Sequence, residues 1–279
     1  MIFETEPRLR ITAADGASLA VFALAAEPVD RDDAGPPLLL VHGTASDHTT
    51  WRVVGPLLRR HRMVFALDRR GRGASGDGRG YAIEREFDDV AAVASGLAGQ
   101  GGTVDVVGHS YGGRCALGAS LRTARIRRVV CYEGAPTPEG VSFGDRASLA
   151  AVQAAVREGD LELALETFLR SVVGMDDAQV AAYRADPVWP VRVAAAATTA
   201  REAEAEGRPG AGLGVLGRVG VPVLQILGSA SVAAFALATA ALDARLRDGR
   251  VVEIEGAAHA AHHTHPAAFV RAVEDFLDG

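Results

Sequence analysis

The chain of 279 residues contains no lysine, only two cysteines, few aromatic residues and no excess of positive charge. Each shortage excludes something. No stretch approaches the roughly 20 apolar residues of a membrane-spanning helix, so no membrane partner is expected. Met1 to Arg10 carries acids and arginine rather than an apolar stretch. That is not the pattern of a secretory signal, and a cytoplasmic location is expected. Cys115 and Cys131 lack metal-ligand spacing and sit in apolar segments, where buried free thiols are expected and a metal site is not. The formal charge of −6 argues against nucleic acid as a partner, because neutralising phosphates needs a basic face. All positive side chains are arginine, and the heavy alanine and glycine usage marks a coding bias rather than a function.

What is present is a long, core-forming chain with 48% hydrophobic and 23% charged residues. Leu9–Ala13 and Leu19–Leu24 read as paired strands around an Asp15-Gly16 turn. A Pro/Asp-rich loop from Pro28 to Pro37 follows. Short apolar runs then recur at Leu38–Val41, Met63–Leu67, Val104–Val107, Val129–Tyr132, Val221–Leu227 and Val251–Ile254. Continuous runs of this length suit strands buried on both faces of a parallel sheet. Between them, Thr49–Arg60, Glu84–Leu97, Tyr111–Thr123, Ala238–Leu246 and Pro266–Leu277 carry apolar residues at helical spacing. The alternation predicts an α/β fold, a mostly parallel sheet with helices on both faces. Residues 137–214 break the rhythm with amphipathic stretches and no buried strand. The expected layout is a core from 1–136, an inserted helical cap over 137–214, and a second part of the core over 215–279.

Gly108-His109-Ser110-Tyr111-Gly112 follows a buried strand and opens a helix. Small residues there permit a strained strand-to-helix turn that lifts the Ser110 hydroxyl above the sheet edge. A serine hydroxyl is a weak nucleophile until a base takes its proton. His259 lies just past the last strand, where a loop delivers it to the same edge. His262 and His263 read as the start of a solvent-facing turn, and His265 as a helix-start residue. His61, flanked by arginines, reads as a surface residue.

The base needs a carboxylate to orient its ring. The place after the penultimate strand reads Leu227-Gly228-Ser229-Ala230-Ser231, with no acid, and Asp243 lies a helix away, where exposure is expected. Glu133 instead ends the strand next to that of the nucleophile. Burying a carboxylate there without a partner is costly, so Glu133 is the candidate acid. A tetrahedral oxyanion needs donors in place beforehand. The backbone N–H groups of Tyr111 and of Thr44, in His42-Gly43-Thr44-Ala45, are the candidates.

Together with Asp68-Arg69-Arg70-Gly71-Arg72-Gly73-Ala74-Ser75 and Gly256…His259, these pieces resemble the α/β-hydrolase superfamily from Leu38 to Leu277. In that family the Asp68–Ser75 segment shapes a loop near the active site and is assigned no chemistry. The resemblance implies a cofactor-free mechanism: Ser110, deprotonated by His259, attacks a carbonyl held by Thr44 and Tyr111, and water releases the acyl-enzyme. Members with the acid one strand early include haloalkane dehalogenases. Those and epoxide hydrolases use an aspartate nucleophile, so Ser110 argues against both. A pocket near His42 and His109, roofed by Phe143, Phe168, Met175, Tyr183 and Trp189, is expected to take a small, largely apolar ester or lactone. The triad suits C–C bond hydrolysis of a β-diketone-type compound equally well. From another class, a slow-turnover ligand-binding or pathway-accessory protein is the alternative. The oligomeric state has no signal in the sequence.

Overall fold

A computed structural model describes residues 3–24, 35–59 and 62–279. Its eight strands are β1 (Leu9–Thr12), β2 (Ser18–Ala23), β3 (Leu38–Val41), β4 (Val64–Leu67), β5 (Val104–His109), β6 (Ile126–Tyr132), β7 (Val223–Gly228) and β8 (Gly249–Ile254). They form one sheet in the order β1-β2-β4-β3-β5-β6-β7-β8. The β1–β2 and β2–β4 pairs are antiparallel and all others are parallel. This is the mostly parallel α/β sheet expected from the alternating pattern.

Alternate residues of each strand feed opposite layers, as the two-residue period of a strand requires. Leu38 and Leu40 pack with Trp51, Leu58, Phe269 and Val273 on one face. Leu39 and Val41 pack with Phe87, Val90, Cys115 and Leu117 on the other. Burying such a side chain contributes about 1.5–3 kcal/mol, and all four residues of β3 are buried. The continuous apolar run is therefore the mark of a strand covered twice.

The helices are α1 (Gly55–Leu58), α2 (Ile83–Ala98), α3 (Tyr111–Ser120), α4 (Arg146–Glu158), α5 (Leu161–Phe168), α6 (Asp177–Arg184), α7 (Trp189–Ala195), α8 (Thr199–Glu206), α9 (Leu213–Leu216), α10 (Ala233–Asp243), α11 (Ala261–Thr264) and α12 (Pro266–Asp278). Helices α4 to α9 fall between β6 and β7, with no strand among them. They have a small core of their own, built on Leu165, Leu169, Val180, Trp189 and Ala196. None of the helices in the described residues is long and apolar enough to cross a membrane.

Two boundaries and one exposure differ from the sequence pattern. The stretch expected as one helix over Thr49–Arg60 is a 3-10 turn at His48–Arg52 followed by the short α1. Pro56 lacks an N–H and restricts Gly55, so it starts a new helix rather than continuing one. Helix α10 begins at Ala233, five residues before the expected start, because Val232 offers no side-chain cap to mark it. Asp243 is half-buried rather than exposed, and accepts a long 3.5 Å hydrogen bond from Gln225 Nε2. His61 and most of the loop from Pro28 lie outside the described residues.

Candidate active site

The register of the sheet brings the first two candidate residues together. His109 pairs with Tyr132 across β5 and β6, so Ser110 and Glu133 are the next residues on adjacent strands at one sheet edge. The non-glycine residues with positive φ among the described residues are Ala45 (49°), Ser110 (53°) and Glu133 (47°). All three lie in the loops leaving β3, β5 and β6. Such strain persists only where the surroundings enforce it, and it gathers at functional sites. The glycines beside Ser110 are required by contact. A Cβ at Gly108 would meet Gly112 O at 2.4 Å, and one at Gly112 would meet His42 O at 2.3 Å.

Glu133 is 3% exposed and fully partnered. Its Oε2 lies 2.5 Å from His259 Nδ1, while Oε1 accepts from Gly228 N at 2.8 Å and Ser231 Oγ at 2.6 Å. The carboxylate-free segment after β7 therefore supplies donors to the acid instead of the acid itself. The contact to Nδ1 leaves His259 Nε2 as the ring atom free for other work. His259 stacks on Phe235 at 4.4 Å between centroids, and both line one pocket with Ser110. Ser110 Oγ makes no hydrogen bond among the described residues.

Two neighbours that the sequence pattern had not singled out as loop anchors hold the His259 loop. Tyr132 Oη donates to Ala258 O at 2.5 Å and accepts from Ala261 N at 2.8 Å. His109, expected in the pocket, instead bonds His259 O through Nε2 at 2.8 Å. Burial, then the neighbouring His259, hold the His109 pKa well below the usual imidazole range. A neutral ring facing a carbonyl carries its proton on Nε2, so His109 is the donor.

His262 and His263 are also unlike the expectation of a solvent-facing turn. His262 is 2% exposed, packed against Trp51, His109 and Phe269, and burial holds its pKa well down. His263 is half-buried, lowered to about 4 by burial and by Arg52 and Arg192. The apolar partners come from remote segments, which a local polar string cannot disclose. His265 is the N-cap position of α12.

Thr44 and Tyr111 both line the pocket. Tyr111 opens α3, where the first N–H groups have no intrahelical acceptor. Gly43 lies so close to the elbow that a Cβ there would come within 3.0 Å of Ser110 Cβ. Neither Thr44 N nor Tyr111 N donates to an acceptor among the described residues. Two residues that line the pocket with Ser110 thus carry backbone N–H groups without an acceptor among the described residues.

The pocket has two unlike walls. Phe143, Leu149, Phe168, Val172, Val173 and Phe235 form the apolar one. The lining also includes a polar face of α8, Thr199, Glu202 and Glu206, with Arg114. The pocket lining is therefore part apolar and part polar. Glu206 approaches Arg114 Nη1 at 3.7 Å, and burial raises its pKa. Of the residues expected as a roof, Phe143 and Phe168 line the cavity. Met175, Tyr183 and Trp189 pack into the small core of the inserted helices instead. His42 does not line the pocket; it is buried behind the Gly43 loop. The cavity volume is about 30 Å³. A water needs roughly 10–15 Å³ on this measure, so the cavity as described has room for only a few waters.

Behind the pocket sits a buried cluster of Arg69, Arg72, Glu86 and Glu202. Arg69 reaches Glu86 at 2.8 Å and Glu202 at 2.7 Å, and Arg72 contacts both acids as well. Burial alone would raise the Glu86 pKa, but the charges of Arg69 and Arg72 outweigh it and bring it to about 2. The cluster joins the loop after β4 to α2 and α8. Cys115 and Cys131 are free and buried, with Cys131 pushed up to about 12 by burial. Asp47, His48 and Asp68 bring potential metal-ligand atoms within 4.8 Å of one another. Their oxygens are already engaged: Asp68 Oδ1 accepts from His48 N and contacts His48 Nδ1, and Asp47 Oδ1 accepts from Thr49 and Arg192.

The sheet, the elbow and the strand-end acid define a class, and residues 38–272 match the model of the alpha/beta hydrolase family. The chain belongs to that family. Over 116 residues it is 37% identical to 2-hydroxy-6-oxo-2,4-heptadienoate hydrolase of Pseudomonas putida, an alignment covering 39% of this chain and 40% of that protein. The match thus spans less than half of that relative. The 2-(acetamidomethylene)succinate hydrolase of Mesorhizobium japonicum is 27% identical over 266 residues, or 90% of this chain and 91% of the relative. Among solved structures, an alpha/beta hydrolase from Sphaerobacter thermophilus superposes with a TM-score of 0.77 at 26% identity, covering 95% of this chain and all of the other.

Proposed function

We propose that the chain is a serine hydrolase in which Ser110 attacks the carbonyl of a small substrate. His259 takes the hydroxyl proton through Nε2, and Glu133 stabilises the imidazolium that forms. Thr44 N–H and Tyr111 N–H receive the oxyanion, and the collapse of the tetrahedral adduct leaves an acyl-enzyme. His259 gives its proton to the leaving group and then activates water for release. The single observation that carries this reading is the 2.5 Å contact between Glu133 and His259, both of which line the pocket with Ser110. General-base assistance of this kind supplies about 10²–10⁴ in rate.

The leading substrate class is a small ester or lactone, with an apolar part toward Phe143 and Phe168 and a polar part toward Arg114 and α8. A second reading, hydrolysis of a C–C bond beside a ketone, is favoured by the relative whose named substrate is an oxo acid rather than an ester. Both use the same Ser110, His259 and Glu133. The cavity is smaller than such a substrate, so binding requires it to widen. Purified protein is expected to cleave p-nitrophenyl acetate, and Ser110→Ala to remove that activity. Activity retained in Ser110→Ala contradicts the assignment. Release of a carboxylic acid from a β-diketone at a higher kcat/KM than from any ester selects the second reading.

A further inference from the structure

A trans peptide unit holds its C=O and N–H on opposite sides, so whatever grips a carbonyl also aims the following N–H. Among the described residues there are no cis peptide bonds. Gly43 O lies 3.0 Å from Arg69 Nη2 and 2.9 Å from His42 Nδ1. His42 Nε2 accepts from Arg69 N at 3.0 Å. Burial and the adjacent Arg69 and Arg72 keep that ring neutral, its pKa well below the usual range. Its proton is therefore on Nδ1, and both contacts to Gly43 O are donations. With the carbonyl held from behind, Thr44 N–H points the other way, toward the pocket that Thr44 lines. The same guanidinium lies 5.0 Å over the ring of Tyr111, the residue bearing the second free N–H.

We propose that Arg69, assisted by His42, is the positioning residue for the oxyanion site: it locks the Gly43–Thr44 peptide plane and braces Tyr111. This rests on the serine-hydrolase reading. A charged donor on the carbonyl also polarises the peptide, which strengthens its N–H as a donor. The Asp68–Ser75 loop, to which sequence resemblance assigned no chemistry, thereby acts on the reaction through its second residue. Arg72 is the internal control. It shares Glu86 and Glu202 with Arg69, but its remaining contact is to Arg70 O rather than Gly43.

The test compares Arg69→Lys with Arg72→Lys, each checked for cooperative thermal unfolding. The probes are p-nitrophenyl acetate turnover and the rate at which a fluorophosphonate modifies Ser110, a reaction that also builds negative charge on the bound oxygen. Lysine keeps a cation between the carboxylates but cannot span them and Gly43 O together. Arg69→Lys is expected to lower both kcat and the modification rate by about 10²-fold, the scale of one lost oxyanion donor, with KM little changed. Arg72→Lys, which leaves both grips on Gly43 O in place, is expected to lower both rates much less than Arg69→Lys does. Wild-type rates in folded Arg69→Lys, or equal losses in the two variants, overturn the proposal while leaving the Ser110 reading intact. Should Arg69→Lys not fold, His42→Phe removes the other grip on Gly43 and carries the same expectation and the same refuting result. Failure of the fluorophosphonate to modify wild-type Ser110 sinks the reading itself, and this inference with it.

Discussion

Lowering the pH from 7 to 5.5 is expected to destabilise the fold through four histidines. His42, His109 and His262 are buried with pKa values well below their unfolded value of 6.5, and His263 is lowered to about 4. Below 6.5 the unfolded chain binds protons that the folded chain refuses, so unfolding gains with every step toward acid. Their contribution is present in full above the unfolded pKa and is lost as the pH falls. Each ring accounts for about 1.4 kcal/mol per pH unit in that window. Asp89, raised to about 6 by burial, acts in the opposite sense. It takes up a proton in the folded state first and offsets about 1 kcal/mol by pH 5.5. Glu206, also raised by burial, adds to that offset. The net loss is about 4 kcal/mol before the Glu206 contribution, of order 5–10 °C in Tm for a chain of this size. Urea unfolding at the two pH values measures it directly. A midpoint that stays constant or rises between pH 7 and 5.5 refutes the neutral, buried state of these rings.

Three further outcomes are expected. Glu133→Gln keeps an acceptor for Gly228 N and Ser231 Oγ but loses the carboxylate at His259 Nδ1. Its kcat should fall by about 10³–10⁴ with Tm little changed, and near-normal turnover removes Glu133 from the mechanism. Arg192, fully buried, binds Ser46 Oγ and Asp47 Oδ1. Arg192→Met strands a buried carboxylate and should cost about 3–5 kcal/mol in urea unfolding; a loss under 1 kcal/mol contradicts that. Phe168→Ala opens the apolar wall and should raise kcat/KM for p-nitrophenyl octanoate relative to acetate by roughly 10-fold. An unchanged ratio places the acyl chain elsewhere.

Much of this arrangement is legible in the sequence, for identifiable reasons. Leu38–Val41 and Val104–Val107 announce a sheet because strands buried on both faces need no polar alternation. The Ser110 turn is legible because small residues fall between an apolar run and a helix. Glu133 is legible by elimination, since the segment just after β7, Gly228-Ser229-Ala230-Ser231, carries no carboxylate. The misreadings share one cause, that burial is set by distant partners. His262 sits in a polar local string but is covered by Trp51 and Phe269. Trp189, an expected pocket residue, is claimed by the inserted helices. Arg69 and Glu202, 133 residues apart in sequence, meet only once the chain is folded.

The central claim is that Ser110 is an activated nucleophile. Its most direct test is treatment of the native protein with a fluorophosphonate, followed by proteolysis and mass mapping. The account predicts one modified serine, Ser110, and no modification after prior heat denaturation. Label on another serine, or none on the native protein, contradicts it.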